Sequence, residues 1–266
     1  MSRLNWINPE DYTFDHMLLL DRFQIRMMLG IPMADYCRDL GIALKHNPKV
    51  AWVFAHRCKE YEEKVYELVA SAPETDAAGV REAELRLLNM HEDFVLFTTP
   101  EQMDAKSDYI YSWDKTRLLE LADFHGKTVL DVGSGSGRLA FAAAGQAAWV
   151  YASEPVSTLR EYMRDKIARE KIPNVRVVDG MCHSLPYPDS TFDIVMSGHV
   201  VGDYPKAELK ELRRVVKPGG WLLDCPGDQP RKTKPSRILL EDGWEELAYE
   251  GAFGLTTYRY RKQVSK

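Results

Sequence analysis

Three glycines at alternate positions, Gly133, Gly135 and Gly137, follow the β-branched and aliphatic run Thr128 to Val132 and precede an Ala-rich segment. Residue types in that order predict a strand, a tight turn and the start of a helix. Glycine accepts φ > 0 and lacks the Cβ that would hold a ligand away from the backbone. The first amides of a helix have no intrahelical partner. The chemistry implied is capture of a polar ligand. Asp131 and Ser134 belong to the same turn, and Asp131 puts a carboxylate at the strand's carboxyl end, where open α/β sheets hold their ligands. A carboxylate there suits a cationic or hydroxyl-bearing ligand, and the Lys of a Walker-type loop is missing from the motif.

Glu154, in the segment YASEP that ends the second strand, stands 17 residues beyond Gly137. An acid at that edge can accept two ribose hydroxyls, a device that NAD-binding sheets share. Its other reading is a solvated acid at a helix start. His199 follows the apolar run Phe192 to Ser197, and an imidazole titrates near neutrality, so it is the candidate general base if an attacking atom arrives protonated. A loop histidine held by hydrogen bonds is the competing reading. Tyr109, Tyr111 and Trp113, just before the glycine strand, either close over the bound ligand or pack a helix. His46, His56, Cys37 and Cys58 lack metal-ligand spacing, so no metal site is expected, and the sequence holds no GxSxG elbow.

The elements that must position these groups follow from periodicity. Strands are expected at Thr128 to Val132, Ala148 to Ser153, Val175 to Asp179, Phe192 to Ser197 and Trp221 to Asp224. Helices at Val156 to Lys171 and Pro205 to Val216 alternate with them. That alternation argues a doubly wound, mostly parallel α/β sheet. Trp244 to Glu250 and Leu255 to Lys262 then read as a terminal antiparallel hairpin, making seven strands. On the second helix Glu208, Lys210, Glu211, Arg213 and Arg214 are read as the wet face. The amino-terminal part reads as all-helical: Asp15 to Leu29 closed by Gly30, Met33 to Leu40 closed by Gly41, Pro48 to Ala70, and Ala77 to Phe97. A further helix is expected over Tyr109 to Phe124. The division expected is a helical cap or substrate region, 1–107, and a ligand-binding domain, 108–266.

At 266 residues and 45% hydrophobic, the chain can bury a substantial core. Its net charge is −5, carried unevenly: residues 1–125 are net −8 and the remainder net +3. Neither half has the clustered Lys and Arg that phosphate neutralisation needs, which argues against nucleic acid as a partner. Arg231, Lys232, Lys234 and Arg237 form one basic cluster and read as solvated surface. Four scattered cysteines fit a reducing cytoplasm. The amino terminus is charged where a signal peptide is apolar, and no run approaches the ~20 apolar residues of a membrane span.

Taken in order, Val129 to Ala140, Glu154, Gly180 to Asp193 (GMCHSLPYPDSTFD) and Leu212 to Leu223, with its KPGG, resemble the class I S-adenosylmethionine-dependent methyltransferases of the small-molecule type. The resemblance spans roughly residues 108–262. It implies a Rossmann-like fold and an enzyme that moves a methyl group from S-adenosylmethionine to a small-molecule acceptor, releasing S-adenosylhomocysteine. It also implies backbone contact by Gly133, Gly135 and Gly137, an aminoacyl site shaped by Asp131, and ribose held by Glu154. Gly180 falls in the adenine segment. Ser197, Gly198 and His199 would stand near the methyl group, with Tyr109 over the methionine end. One position departs from the pattern: Met181 stands where the family carries an acid for the adenine amino group. Met181 is therefore expected to pack on the adenine face and the Cys182 amide to approach a ring nitrogen. An NAD(P)-dependent oxidoreductase and a non-catalytic cofactor-binding subunit are the rival readings. The acceptor and the oligomeric state, a homodimer among the options, are left open.

Overall fold

The computed structural model describes residues 7–265, leaving aside the side chains of Asp108 and Tyr111. Tyr111 as a cover for the ligand therefore lies outside the described residues. The chain divides into two compact units, Met1–Pro100 and Glu101–Lys266.

The first unit is helical, as expected, but its helices are shorter and more numerous. Asp15 to Leu29 is a 3-10 turn, Phe14–Leu19, followed by α1, Arg22–Gly30. The break falls at Asp21, which forms a capping box with Gln24; its N–H donates to Gln24 Oε1 at 2.9 Å. Helix α2, Ala34–His46, runs straight through Gly41 rather than ending there. A Cβ on Gly41 would lie 2.5 Å from Leu68 O, so this glycine lets two helices approach. The expected Pro48 to Ala70 helix is two, α3 Pro48–Arg57 and α4 Glu62–Ser71. Between them Cys58 is buried at φ −123°, ψ 73°, outside helical geometry. Arg22 Nε donates to the Arg57 carbonyl at 3.1 Å, satisfying a group that the break frees. Ala77 to Phe97 likewise splits into α5, Ala77–Met90, and α6, Glu92–Phe97, at His91. That imidazole is buried against the Tyr36 hydroxyl, 2.9 Å from Nε2. At Cys58 and His91 tertiary partners won over periodicity; at Asp21 a local cap did.

The second unit opens with α7, Pro100–Lys106, α8, Asp108–Tyr111, and α9, Thr116–Leu119, where one helix was expected over 109–124. At the last of these Asp114 accepts from the Thr116 N–H at 2.9 Å and so starts a new turn. Then come β1 Thr128–Val132, α10 Arg138–Ala144, β2 Trp149–Ser153, α11 Ser157–Glu170, β3 Val175–Val178 and β4 Phe192–Ser197. Helix α12 Pro205–Val215, β5 Val216–Asp224, α13 Arg237–Glu241, β6 Glu245–Glu250 and β7 Thr256–Gln263 complete it. The sheet order is β3-β2-β1-β4-β5-β7-β6, parallel except for β7, which is antiparallel to both neighbours.

Alternate residues of β1 feed the two faces. Val129 packs with α10 residues Leu139, Ala140 and Ala143 on one side; Leu130 and Val132 pack with α12 residues Leu209, Leu212 and Val215 on the other. Asp193, from the FD pair, is a structural pin: it accepts the Thr128 N–H at 2.8 Å and pairs with Lys217 at 2.8 Å, joining the amino ends of β1 and β4. Of the α12 charges Lys210 is exposed as expected, and the others correct the expectation of a wet face. Glu208 is buried and accepts the Gly202 and Tyr204 N–H groups, while Glu211 accepts the Leu185 N–H. Arg214 donates to the Tyr187 and Leu185 carbonyls at 2.7 and 3.0 Å, holding the LPYPD loop on the sheet. Arg231, Lys232, Lys234 and Arg237 are exposed. Among the described residues no helix is long and apolar enough to cross a membrane, and no group of His, Cys, Asp and Glu is placed to hold a metal.

Candidate functional site

The glycine turn joins β1 to α10, and its three glycines take φ of +64°, +57° and +96°. Only glycine adopts such angles without strain. Gly133 has a second constraint, since a Cβ there would meet Val200 at 2.5 Å. The turn is tied to β2: the Gly133 and Ser134 N–H groups both donate to Ser153 O, at 2.8 and 3.2 Å. Glu154, buried at the end of β2, receives the Gly135 N–H on Oε2 at 2.8 Å and the Val156 N–H on Oε1 at 2.9 Å. This acid and this turn are one hydrogen-bonded unit.

Asp131 is buried, with Oδ2 accepting the Ala140 N–H at 3.0 Å and Oδ1 without a partner. Burial raises its pKa to about 7, against the opposing pull of Arg138. Ser197 donates to Asp224 at 2.9 Å across the β4–β5 pair, and burial raises the Asp224 pKa to about 6.

A cavity of about 60 Å³ lies over the turn. Of the residues expected at the site, Asp131, Gly133, Ser134 and Gly135 line it from the turn, Gly198 and His199 from the loop after β4, and Tyr109 from α8. Gly137, Glu154, Gly180, Met181, Cys182 and Ser197 do not line it. Gly180 packs where a Cβ would collide with Ser153 Oγ, Met181 forms a bridge to Ser184, and Cys182 packs on the hydrophobic cluster around α12. Burial raises the Cys182 thiol to about 12, so it is a neutral packing group.

His199 sits at φ +66°, a left-handed conformation uncommon outside glycine. Its ring meets Tyr109 edge-on at 5.0 Å, and Nε2 lies 3.3 Å from Gln229 Nε2. Desolvation of the ring, then Arg138 and Arg231, push its pKa below the usual value, and a hydrogen bond with the Pro226 backbone opposes them. At neutral pH the imidazole is uncharged and can accept a proton.

The sequence reading missed Arg138, which lines the same cavity with Met103 and Ile110. Its Nη2 donates to the Cys225 and Pro226 carbonyls at 2.7 and 3.2 Å, and its guanidinium lies over Trp113 and Tyr109 at 4.6 and 5.7 Å. A legible signal existed: an Arg directly after the third glycine opens a helix, where the backbone dipole disfavours a cation. Met103 carried no such signal; it covers Gly135, whose Cβ would lie 3.3 Å from Met103 Cε.

The turn without Cβ atoms, the unpartnered Asp131 oxygen and the buried Glu154 fit a ligand with cationic and hydroxyl-bearing parts. Residues 130–224 match the family model described as a methyltransferase domain. Demethylmenaquinone methyltransferase of Geobacillus sp. is 31% identical over 123 residues, 44% of this chain and 53% of that protein. The ubiquinone/menaquinone biosynthesis C-methyltransferase UbiE of Francisella tularensis is 30% identical over 146 residues, 52% of this chain and 58% of that protein. The chain thus spans about half the length of the curated relatives it matches. A solved S-adenosylmethionine-dependent methyltransferase from Aquifex aeolicus shares the fold, with a TM-score of 0.53 and 21% identity over 63% of this chain and 98% of that one. The motif series, the sheet order and this match agree on a methyltransferase domain over residues 130–224, within the Glu101–Lys266 unit.

Proposed function

We propose that the chain transfers a methyl group from S-adenosylmethionine to a small-molecule acceptor by direct displacement, releasing S-adenosylhomocysteine. The observation that carries this reading is the unit formed by the left-handed glycines and Glu154 at the carboxyl ends of β1 and β2. Gly133 and Gly135 let the aminoacyl part approach the backbone, and Glu154 takes the ribose hydroxyls. Met181 and the Cys182 amide meet the adenine. The cofactor, when bound, supplies a methyl group on a cationic sulfur that leaves readily. The protein's task is then alignment of an attacking atom. Gly198, His199 and Tyr109 stand on the acceptor side. A neutral His199 accepts the proton of a nucleophile that arrives protonated; an acceptor that arrives as an anion needs no base.

The acceptors printed in the relatives' names, demethylmenaquinone first, are the acceptors to offer first. Four unpaired cysteines, Cys58 and Cys225 buried, suit work in a reducing cytoplasm. A thermal-shift comparison tests the reading: S-adenosylhomocysteine should raise the melting temperature and NADH should not. Stabilisation by NADH alone would make the chain an oxidoreductase instead.

A further inference from the structure

Gln229 stands between two residues that leave its amide one orientation. Arg231 Nε donates to Gln229 Oε1 at 2.7 Å, and a guanidinium has no acceptor to offer in return. The amide oxygen therefore faces Arg231, and the amide nitrogen, 3.3 Å from His199 Nε2, donates to the ring. His199 Nε2 then carries the lone pair. The rest of the imidazole agrees: the ring hydrogen-bonds the Pro226 backbone, and proline has only a carbonyl, so the ring donates there. The direction of hydrogen bonding runs from a group that cannot accept, Arg231, to one that cannot donate, Pro226.

The loop after β5 that carries Gln229 is fastened beside it. Arg138 Nη2 donates to Pro226 O at 3.2 Å, and the buried Asp228 accepts the Tyr249 hydroxyl at 2.7 Å and the Ala252 N–H at 3.0 Å. Across from it, His199 keeps φ +66°, a conformation that persists where the surroundings impose it and that clusters at working sites. Among the described residues, the titratable and charged groups facing this ring are Tyr109 of α8, Arg138 of α10 and Arg231 of the same loop as Gln229. His199 is itself exposed, so an acceptor can reach it.

We propose that Gln229 is a positioning residue for His199: with Arg231 behind it, its amide holds the imidazole as the tautomer protonated on Nδ1, with the Nε2 lone pair open to the proton of a methyl acceptor. In that step the acceptor's proton moves to Nε2 and its bonding pair stays on the attacking atom. The new Nε2–H meets the amide N–H, donor against donor. Turning the Gln229 amide gives the ring an oxygen and releases Arg231. The catalytic use of this arrangement rests on the methyltransferase reading, whereas the tautomer does not.

The test is nitrogen-15 NMR of the full chain labelled at histidine, without ligand, the His199 signals being those that His199→Gln removes. The wild-type ring should carry its proton on Nδ1 at neutral pH and titrate below the usual imidazole value of about 6.5. Gln229→Met removes the facing donor and should raise the ring's proton affinity about threefold, and Gln229→Glu, which offers Nε2–H an acceptor, at least about tenfold. A wild-type ring protonated on Nε2 overturns the inference and needs no variant to fold. A midpoint that falls or stays put in Gln229→Met also overturns it, since the amide nitrogen would then not face the ring. In turnover, the acid limb of the rate should move with the ring's midpoint in each variant while affinity for S-adenosylhomocysteine stays within about twofold. A limb that does not move takes Gln229 out of the reaction. Wild-type protein that binds no S-adenosylhomocysteine refutes the methyltransferase reading itself, and the ligand-free NMR result is independent of it.

Discussion

The Gly135 N–H donates to Glu154 Oε2 at 2.8 Å, so the acid assigned to the ribose is also the clamp that shapes the glycine turn. A carboxylate accepts about four hydrogen bonds, which lets one side chain serve the backbone and a diol together. Glu154→Gln presents an amide nitrogen to one of the two N–H donors that the acid satisfies, Gly135 or Val156. We expect a loss of about 1–3 kcal/mol in stability and at least tenfold in affinity for S-adenosylhomocysteine. Chemical denaturation and calorimetry measure the two effects. Unchanged affinity would remove Glu154 from the ribose site.

Asp131 gives a pH signature with a definite sign. Its folded pKa, about 7, lies above the ordinary carboxylate value, so its contribution to stability is complete at about pH 4 and is lost as pH rises through 7. Asp224, at about 6, acts in the same direction. Asp131→Asn should therefore gain on the wild type as pH rises from 5 to 8, in melting experiments without ligand. A difference independent of pH would mean that Asp131 is ionised throughout.

His91 acts in the opposite direction. Burial lowers its pKa to about 4, so the stability it contributes is present above pH 6.5 and is lost as pH falls through 4, roughly 3 kcal/mol at the limit. His91→Gln keeps a partner for the Tyr36 hydroxyl and should flatten the acid limb of the stability profile. An unchanged limb would place the acid transition elsewhere.

The first-unit helices show what periodicity misses. Strands β1 and β4 have the limits that residue type alone suggested, because an apolar run between polar ends has one way to sit in a buried parallel sheet. The helices did not: Cys58 and His91 are satisfied by partners distant in sequence that a local pattern does not contain, and at Asp21 a local capping box with Gln24 starts a new helix inside the apolar period. The glycine turn was legible for the same reason as the strands: its chemistry is local. Arg138 is legible only as a cation in the first turn of a helix; what it holds, carbonyls 87 and 88 residues away, is not local.

Gly41 was read as a helix stop and is instead a packing contact. A Cβ added there would meet the Leu68 carbonyl oxygen at 2.5 Å and its carbon at 3.2 Å, backbone atoms that cannot swing aside. Gly41→Ala should lower stability by about 1–3 kcal/mol through overpacking, despite the roughly 1 kcal/mol of helix propensity that alanine adds. Urea unfolding decides it; a more stable variant would show that α2 and α4 do not meet this closely.

His199 is the remaining candidate base. Its lowered pKa keeps the imidazole unprotonated at neutral pH, at the cost of base strength, and places its protonation below the usual imidazole range. With an acceptor that reacts as a protonated nucleophile, the wild-type rate should fall only under acid conditions, and His199→Gln should be slow at every pH. A variant with the wild-type rate and profile would leave His199 a loop residue held by Tyr109 and Gln229.

The central claim is that the turn from Asp131 to Gly137, with Glu154, seats a sulfonium nucleoside. Calorimetric titration of the folded chain with S-adenosylhomocysteine tests it most directly. Saturable one-to-one binding that Glu154→Gln weakens at least tenfold is the predicted result. No heat of binding at millimolar ligand, from protein that melts cooperatively, would contradict it.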